Sequence, residues 1–219
     1  MADSSAFPLQ TLLIQLAPVP VVVAFLIGLT RFRRLPPALR YLVGLIGFAL
    51  VIEVISRLLR MQHRSNLFLM PLDAAGEFWL LVLVYRRALQ SASFAKAAPW
   101  LIASFTAYVL LDSLLFPEMA RFKPSVQIIK HLLVLTLAGL YFRKLLHELR
   151  VVQLTREPMF WVSTGLFVYS VGYMQIALFS NYLLRYSKQL NMTIWAINAV
   201  LYMMLYCIYS FALWMHPRK

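Results

Sequence analysis

The sequence predicts an all-α, polytopic membrane protein with a single domain of seven transmembrane helices. Of its 219 residues, 62% are hydrophobic and only 13% are charged, and the mean hydropathy is +0.74. In soluble domains, about a quarter of all residues are charged. The apolar residues gather into seven stretches of about 20 residues, the length that crosses a bilayer. This composition excludes a disordered chain, and the single cysteine, Cys207, excludes an internal disulfide.

The predicted spans occupy nearly the whole chain, 1–219, and leave no room for a soluble domain. Pro18 and Pro20 lie inside the first span and predict a bend there, because proline lacks the N–H that a helix needs. Pro99 and Pro117 are expected to bound the fourth span. The seven spans lie at about 9–30, 41–60, 67–85, 99–116, 125–142, 159–182 and 192–214.

Basic residues are distributed unequally between the two sides of the predicted bundle. Thirteen of the 21 Lys and Arg fall in the connections 31–40, 86–98 and 143–158 and the tail 215–219, and eight fall on the opposite side. Since cytoplasmic loops carry the excess of Lys and Arg, we expect the N-terminus outside and the C-terminus inside an inner (plasma) membrane. The formal charge of +13 then favours contact with anionic lipid and not with nucleic acid.

The first predicted span is not expected to be a cleaved signal peptide. No Lys or Arg precedes it, and the basic cluster Arg31, Arg33 and Arg34 follows it. A secretory signal has its basic residues in front of the apolar stretch. We therefore expect this helix to be retained.

Four of the eight acidic residues lie within predicted spans, where a charged group is costly and often functional. They are Glu53, Asp73, Glu77 and Asp112. At about 1.5 Å per residue, all four lie in the outer half of the bilayer, and Glu77 is the deepest. The inner half carries Ser and Thr but neither a charge nor a side-chain amide. This one-sided distribution favours a pocket that opens outward over a transport path, which needs access to both faces.

Two pairs of these residues share a helix face because they are four positions apart. Glu53 and Arg57 are expected to form an ion pair within their helix. Asp73 and Glu77 are both acidic and repel each other. Three explanations remain open: one carboxyl is protonated, a cation lies between them, or a basic group from another helix joins them.

Asp112 lies near the C-terminal end of the fourth span, where the helix dipole disfavours an anion. Its expected partner is one of three basic residues at compatible depth: Lys130, His131 or Arg57. A divalent metal is a second interpretation, because carboxylates and an imidazole at similar depth could hold one that activates water. Its ligands would be Asp73, Glu77, Asp112 and His131. No other cofactor is expected.

A polar and aromatic stripe follows the last predicted span at steps of three and four residues. Tyr169, Tyr173 and Gln175 are available on the sixth span, where Gly165 and Gly172 allow close helix approach. Two interpretations remain open: hydroxyls and amides that join helices, or the aromatic wall of a pocket. The stripe consists of Asn191, Trp195, Asn198, Tyr202, Tyr206 and Tyr209.

Residues 143–156, RKLLHELRVVQLTR, predict an amphipathic cytoplasmic extension of the fifth span. Such a segment lies on anionic membrane or docks a partner helix. Motifs of known membrane or hydrolytic enzymes are absent from the sequence: it has neither GxSxG nor HExxH, and no lysine in the last span for a retinal Schiff base.

The C-terminal third contains the segments EPMFWVSTGLFVYSVGYMQIALFSNYLL and IWAINAVLYMMLYCIYSFALW. They resemble small seven-helix inner-membrane proteins of Bacteroidota-type bacteria. The resemblance implies a place beside sensory signalling systems and carries over no catalytic residue. Its features are Pro158, Phe160, Trp161, Gly165, Tyr169, Gly172, Asn181, Tyr182, Trp195 and the tyrosines of the last span.

These observations together predict a non-enzymatic binding or sensing protein. An outward-opening polar pocket would hold a small molecule or a lipid head group and signal to a cytoplasmic or membrane partner. A metal-dependent intramembrane hydrolase acting on a lipid-like substrate and a structural subunit of a membrane complex are the alternatives. The expected binding residues are Glu53, Arg57, Asp73, Glu77, Asp112, Lys130, His131, Gln175, Asn198 and Tyr202.

Overall fold

The structure is a computed structural model that describes residues 8–66, 68–115, 124–147, 154–183 and 188–215. All regular elements within these ranges are helical, which confirms the all-α class. Two single 3₁₀ turns, Phe32–Arg34 and Leu154–Arg156, accompany the α-helices. The α-helices are α1 (Pro8–Leu16), α2 (Val19–Arg31), α3 (Pro37–Met61), α4 (Leu69–Leu89), α5 (Ala92–Leu115), α6 (Pro124–His147), α7 (Pro158–Leu183) and α8 (Lys188–Trp214).

Five helical stretches in the described part of the chain are long and apolar enough to cross a membrane, which supports the prediction of a helical membrane protein. Helices α4 and α7 are not among the five. Helix α4 carries four charged residues: Asp73, Glu77, Arg86 and Arg87. The five stretches are Pro8–Arg34, Pro37–Met61, Ala92–Leu115, Ser125–His147 and Gln189–Trp214.

The first predicted span is broken into α1 and α2 by a turn at Ala17 and Pro18. Proline at 18 and 20 removes two N–H donors from the helical ladder, so the carbonyls one turn earlier lose their intrahelical partners. The predicted bend is therefore confirmed. Its consequence is a set of backbone carbonyls near Gln15 that can accept hydrogen bonds from another helix.

One predicted helix boundary is wrong. Helix α5 begins at Ala92 and continues through Pro99, because the backbone and side chain of Ser91 accept hydrogen bonds from its first turn, with Ala95 N to Ser91 O at 2.9 Å. Helix α6 continues past 142 to His147, which agrees with the predicted extension of the fifth span over residues 143–147. Of the predicted amphipathic segment, residues 148–153 lie outside the described part, and 154–156 form a separate 3₁₀ turn.

The first and last helical stretches are neighbours: α8 packs against α1, α2 and α7. Helix α3 packs between α2 and α4, α6 packs between α4 and α7, and α5 packs on α4. The close approach of α7 and α8 depends on Gly172 and Gly165, as predicted. A Cβ atom on Gly172 would lie 2.6 Å from Cδ1 of Leu201, and one on Gly165 would lie 3.1 Å from Cγ2 of Ile208.

Arg31 joins the ends of α2 and α8. Its guanidinium lies 4.6 Å from the ring centroid of Trp214 and donates hydrogen bonds to the carbonyls of Leu213 and Trp214. A cation at these carbonyls complements the negative end of the α8 dipole. We call this the Arg31 end of the bundle, and the opposite end, where α3 ends, the Met61 end.

Candidate functional site

A cavity of about 840 Å³ lies between α1, α3, α4, α6, α7 and α8. Its mouth is at the Met61 end, where Met61 itself is 77% exposed. Both its size and its mixture of apolar and polar lining are typical of small-molecule sites. Apolar residues such as Leu45, Ile52 and Leu205 line the walls between the polar groups.

The α3 wall of the cavity carries a local charge cluster. Nε of Arg57 lies 2.8 Å from Oε1 of Glu53, which confirms the ion pair predicted from the spacing. Arg60 shares the same carboxylate oxygen at 3.7 Å. Arg57 also donates from Nη2 to the carbonyl of Gln15 at 3.1 Å, one of the carbonyls at the break between α1 and α2. The proline break therefore positions the arginine across two helices.

An ion pair between helices occupies the opposite wall. Nζ of Lys130 on α6 lies 2.5 Å from Oε2 of Glu77 on α4, and the Lys130 side chain is only 5% exposed. Of the three explanations for two neighbouring acids, the basic group from another helix is thus the one found for Glu77. Asp73 also lines the cavity, and it has no ion pair or hydrogen bond among the described residues.

The aromatic stripe forms a third wall. The rings of Tyr202 and Tyr206 have centroids 4.6 Å apart, those of Tyr206 and Tyr209 5.4 Å, and those of Tyr169 and Tyr202 6.2 Å. Tyr173 continues the wall at 5.8 Å from Tyr169. All five rings line the cavity, so the pocket-wall interpretation holds for this stripe while the same rings also pack α7 against α8.

Two buried polar atoms of this lining have no hydrogen-bond partner among the described residues: Oδ1 of Asn198 and the hydroxyl of Tyr209. A buried acceptor or donor left without a partner costs about 1–3 kcal/mol. The amide oxygen of Asn198 accepts a hydrogen bond, and the hydroxyl of Tyr209 can donate or accept one. These atoms therefore favour a polar occupant of the cavity.

His131 lies behind the aromatic wall, not in it. It is 2% exposed, its Nδ1 lies 3.1 Å from Oγ of Ser170, and its ring centroid lies 4.5 Å from that of Tyr173. Its ring packs against Tyr169 and Tyr173, and its buried Nε2 has no hydrogen-bond partner among the described residues.

The structure brings seven of the ten predicted binding residues to one cavity and leaves three outside its lining. The three are His131, Asp112 on α5 and Gln175, which is exposed on α7. Lys130 and Arg57, two of the predicted partners of Asp112, pair with Glu77 and Glu53 instead. The seven are Glu53, Arg57, Asp73, Glu77, Lys130, Asn198 and Tyr202.

The predicted metal ligands do not come together. Within the described ranges, no three His, Cys, Asp or Glu side chains form a group that could hold a metal ion. Glu77 is bound to Lys130, and Nδ1 of His131 faces Ser170. Asp112 lies outside the cavity that Asp73 lines. The structure therefore does not bring Asp73, Glu77, Asp112 and His131 together as one ligand set.

Several polar lining residues were not predicted: Gln15, Arg60, Asn66 and Gln127. Gln127 had a usable signal, since it lies three positions before Lys130 and so shares its helix face. The sequence carried no such signal for Gln15 and Asn66, because their positions in the cavity depend on the break between α1 and α2 and on the loop after α3.

The cavity is deeper than the distribution of acids implied. Its lining on α8 extends from Met192 to Tyr209, about 25 Å at 1.5 Å per residue. Tyrosine hydroxyls, and not charged groups, line the deeper part of the cavity. The charges and amides of the sequence, taken alone, therefore predicted a polar region confined to the outer half of the bilayer. Comparison with known proteins adds no relative: no family model, no curated protein and no solved structure matches this chain.

Proposed function

We propose that this protein is a non-enzymatic membrane receptor that holds a small molecule or a lipid head group in the cavity between α3, α4, α6 and α8. The observation that carries this proposal is the cavity itself. It gathers Glu53, Asp73, Glu77 and Lys130, which would each be costly in contact with lipid, around a space of about 840 Å³.

The state of these groups favours binding over catalysis. Glu53 is engaged by Arg57, and Glu77 by Lys130, so both carboxylates are held in ion pairs. Ion pairs of this kind fix the position and sign of charge in a pocket, which orients a ligand. Asn198 and Tyr209 add buried hydrogen-bonding atoms that have no partner among the described residues.

The proposal includes seven membrane spans, with α1 and α2 together forming the first. The contact of Arg31 with Trp214 brings the C-terminal ends of α2 and α8 together. The first and last spans then leave the membrane on the same side, which requires an odd number of spans. With thirteen of the 21 Lys and Arg on the side of the Arg31 end, that end faces the cytoplasm. The cavity then opens to the outside of the cell.

A buried hydrogen bond lies between the helix that carries Asp73 and Glu77 and the cytoplasmic end. The hydroxyl of Tyr85 on α4, which is fully buried, donates to Oγ of Ser163 at 3.0 Å, near the start of α7. A ligand bound at Asp73 and Glu77 would shift α4 and so change this link between α4 and α7 close to the Arg31 end.

Thermal shift measurements on the purified protein test the proposal, with a library of polar metabolites and lipid head groups as probes. Ala49→Phe adds a ring at a position that lines the cavity, and Val51→Phe adds the same ring on the same helix at a position that is 56% exposed. We expect ligands that raise the unfolding temperature of wild type and Val51→Phe but not of Ala49→Phe. A library whose hits stabilise all three proteins equally would contradict a site in this cavity.

A further inference from the structure

The charged groups of the cavity are not balanced wall by wall. On the α3 wall, two guanidinium groups share one carboxylate, since Arg57 and Arg60 lie 2.8 and 3.7 Å from the same oxygen of Glu53. This wall has one positive charge in excess. The side chains of Arg57 and Arg60 are 42% and 53% exposed, so the excess charge is accessible from the mouth.

The wall formed by α4 and α6 has the opposite excess. It carries two carboxylates, Asp73 and Glu77, and one ammonium, that of Lys130. The lysine lies 2.5 Å from Glu77, and no described residue forms an ion pair or hydrogen bond with Asp73. A charge on Asp73 therefore shares Lys130 with Glu77 and has no ion pair of its own among the described residues, which is costly inside a membrane bundle.

The surroundings of Asp73 suit an ammonium group. Tyr169, Tyr173 and Tyr202 line the same cavity as Asp73. Aromatic faces attract cations that lie within about 6 Å of the ring centroid. On the same α8 face as Tyr202, the buried Oδ1 of Asn198 has no donor among the described residues, and an ammonium has three N–H donors to offer.

We propose that the cavity binds a zwitterion, with its ammonium at Asp73 against the tyrosine wall and its anionic group, a phosphate or a carboxylate, at Arg57 and Arg60. This inference rests on the proposed binding function and adds the chemical class of the ligand. Each end of a zwitterion neutralises one of the two excess charges, whereas a purely anionic or purely cationic ligand neutralises one and leaves the other.

Three soluble probes separate these cases: phosphoethanolamine carries both charges, ethanolamine only the ammonium, and glycerol phosphate only the phosphate. Affinities are measured by thermal shift on the full chain in an uncharged maltoside detergent. We expect phosphoethanolamine to bind about ten- to hundredfold more tightly than either half, the range expected for one lost charge-assisted hydrogen bond. If either half binds as tightly as phosphoethanolamine, the proposal is overturned.

Variants assign the two ends of the ligand. Asp73→Asn keeps the size of the side chain and removes its charge, so it should abolish the preference for phosphoethanolamine over glycerol phosphate. Arg60→Gln should weaken both phosphate compounds and leave ethanolamine unchanged. Asp112→Asn is the matched control, because it removes another acid of a membrane helix that lies outside the cavity. An Asp73→Asn protein that keeps the full preference would refute the ammonium position.

A lipid arm distinguishes the two sources of this chemistry. The unfolding temperatures of wild type and Asp73→Asn are compared in nanodiscs of phosphatidylethanolamine and of phosphatidylglycerol. If phosphatidylethanolamine stabilises wild type more than Asp73→Asn and phosphatidylglycerol does not, the ligand is a lipid head group. If only soluble phosphoethanolamine stabilises wild type, the ligand is a free zwitterion. If no zwitterion binds but another molecule stabilises wild type and not Ala49→Phe, the zwitterion proposal fails and the receptor proposal stands. If no molecule distinguishes wild type from Ala49→Phe, both fail.

Discussion

Lys130 and Glu77 form an ion pair across 53 positions of sequence, at 2.5 Å, with the lysine almost fully buried between α6 and α4. Neither charge is tolerable there alone, because removal of one partner leaves the other desolvated without a counterion. Each residue thus explains the presence of the other, and together they fasten α4 to α6 beside the cavity.

Replacing one member of the Lys130–Glu77 pair should lower the stability of the protein more than replacing both. Lys130→Met alone or Glu77→Leu alone should lower stability by about 3–5 kcal/mol, and the double variant should recover most of the loss. A double-mutant cycle of unfolding free energies in mild detergent measures the coupling. Losses that simply add in the double variant would show that the two charges do not depend on each other.

Arg31 should stabilise the junction of α2 and α8 through its planar guanidinium. Arg31→Lys keeps the positive charge but loses the flat stacking on Trp214, so we expect it to recover only part of the loss caused by Arg31→Ala. The loss in Arg31→Ala should be about 1–2 kcal/mol, a shift of a few degrees in the unfolding temperature. Arg33→Ala, an exposed neighbour, serves as the control. Equal stability of the Lys and Ala variants would argue against the stacking.

The contact of α7 with α8 should be intolerant of a side chain at 172. Gly172→Leu places atoms where Leu201 already lies, whereas Gly139→Leu on α6 enters open space, with nothing within 4 Å of its Cβ. We expect a lower unfolding temperature for Gly172→Leu only, since overpacking costs about 1–3 kcal/mol. A Gly139→Leu protein that is destabilised as strongly would mean that packing at Gly172 has no special role.

The seven-span topology predicts opposite accessibility of two connections. In a Cys207→Ser background, Gln62→Cys lies at the Met61 end, and Ser93→Cys lies at the Arg31 end. A membrane-impermeant maleimide should label Gln62→Cys in intact cells and Ser93→Cys only after permeabilisation. The reverse labelling pattern would show that the protein has the opposite orientation in the membrane. Labelling of both cysteine variants in intact cells would contradict a membrane span at α4.

What the sequence could predict is what depends on near neighbours. Apolar stretches set the positions of the helices, Pro18 and Pro20 set the break in the first, and the four-residue spacing of Glu53 and Arg57 set their ion pair. Each of these is a local effect of backbone geometry. Such effects can be derived from one segment of chain at a time.

What it could not predict depends on which way each helix faces. Counting residues along a helix predicts a similar depth for Asp112 and Lys130, but it does not give the direction in which either side chain points around the bundle. Asp112 therefore falls outside the cavity, and Lys130 meets Glu77. Tyrosines posed a second difficulty, because the same ring packs a helix contact and lines a pocket, as Tyr202 does.

The central claim is that the cavity between α3, α4, α6 and α8 is a ligand site. Native mass spectrometry of protein released directly from its own membrane tests it most directly, with Ala49→Phe and Val51→Phe beside wild type. We predict a bound small molecule or lipid that wild type and Val51→Phe retain and that Ala49→Phe loses. The same bound species on all three proteins would contradict the claim.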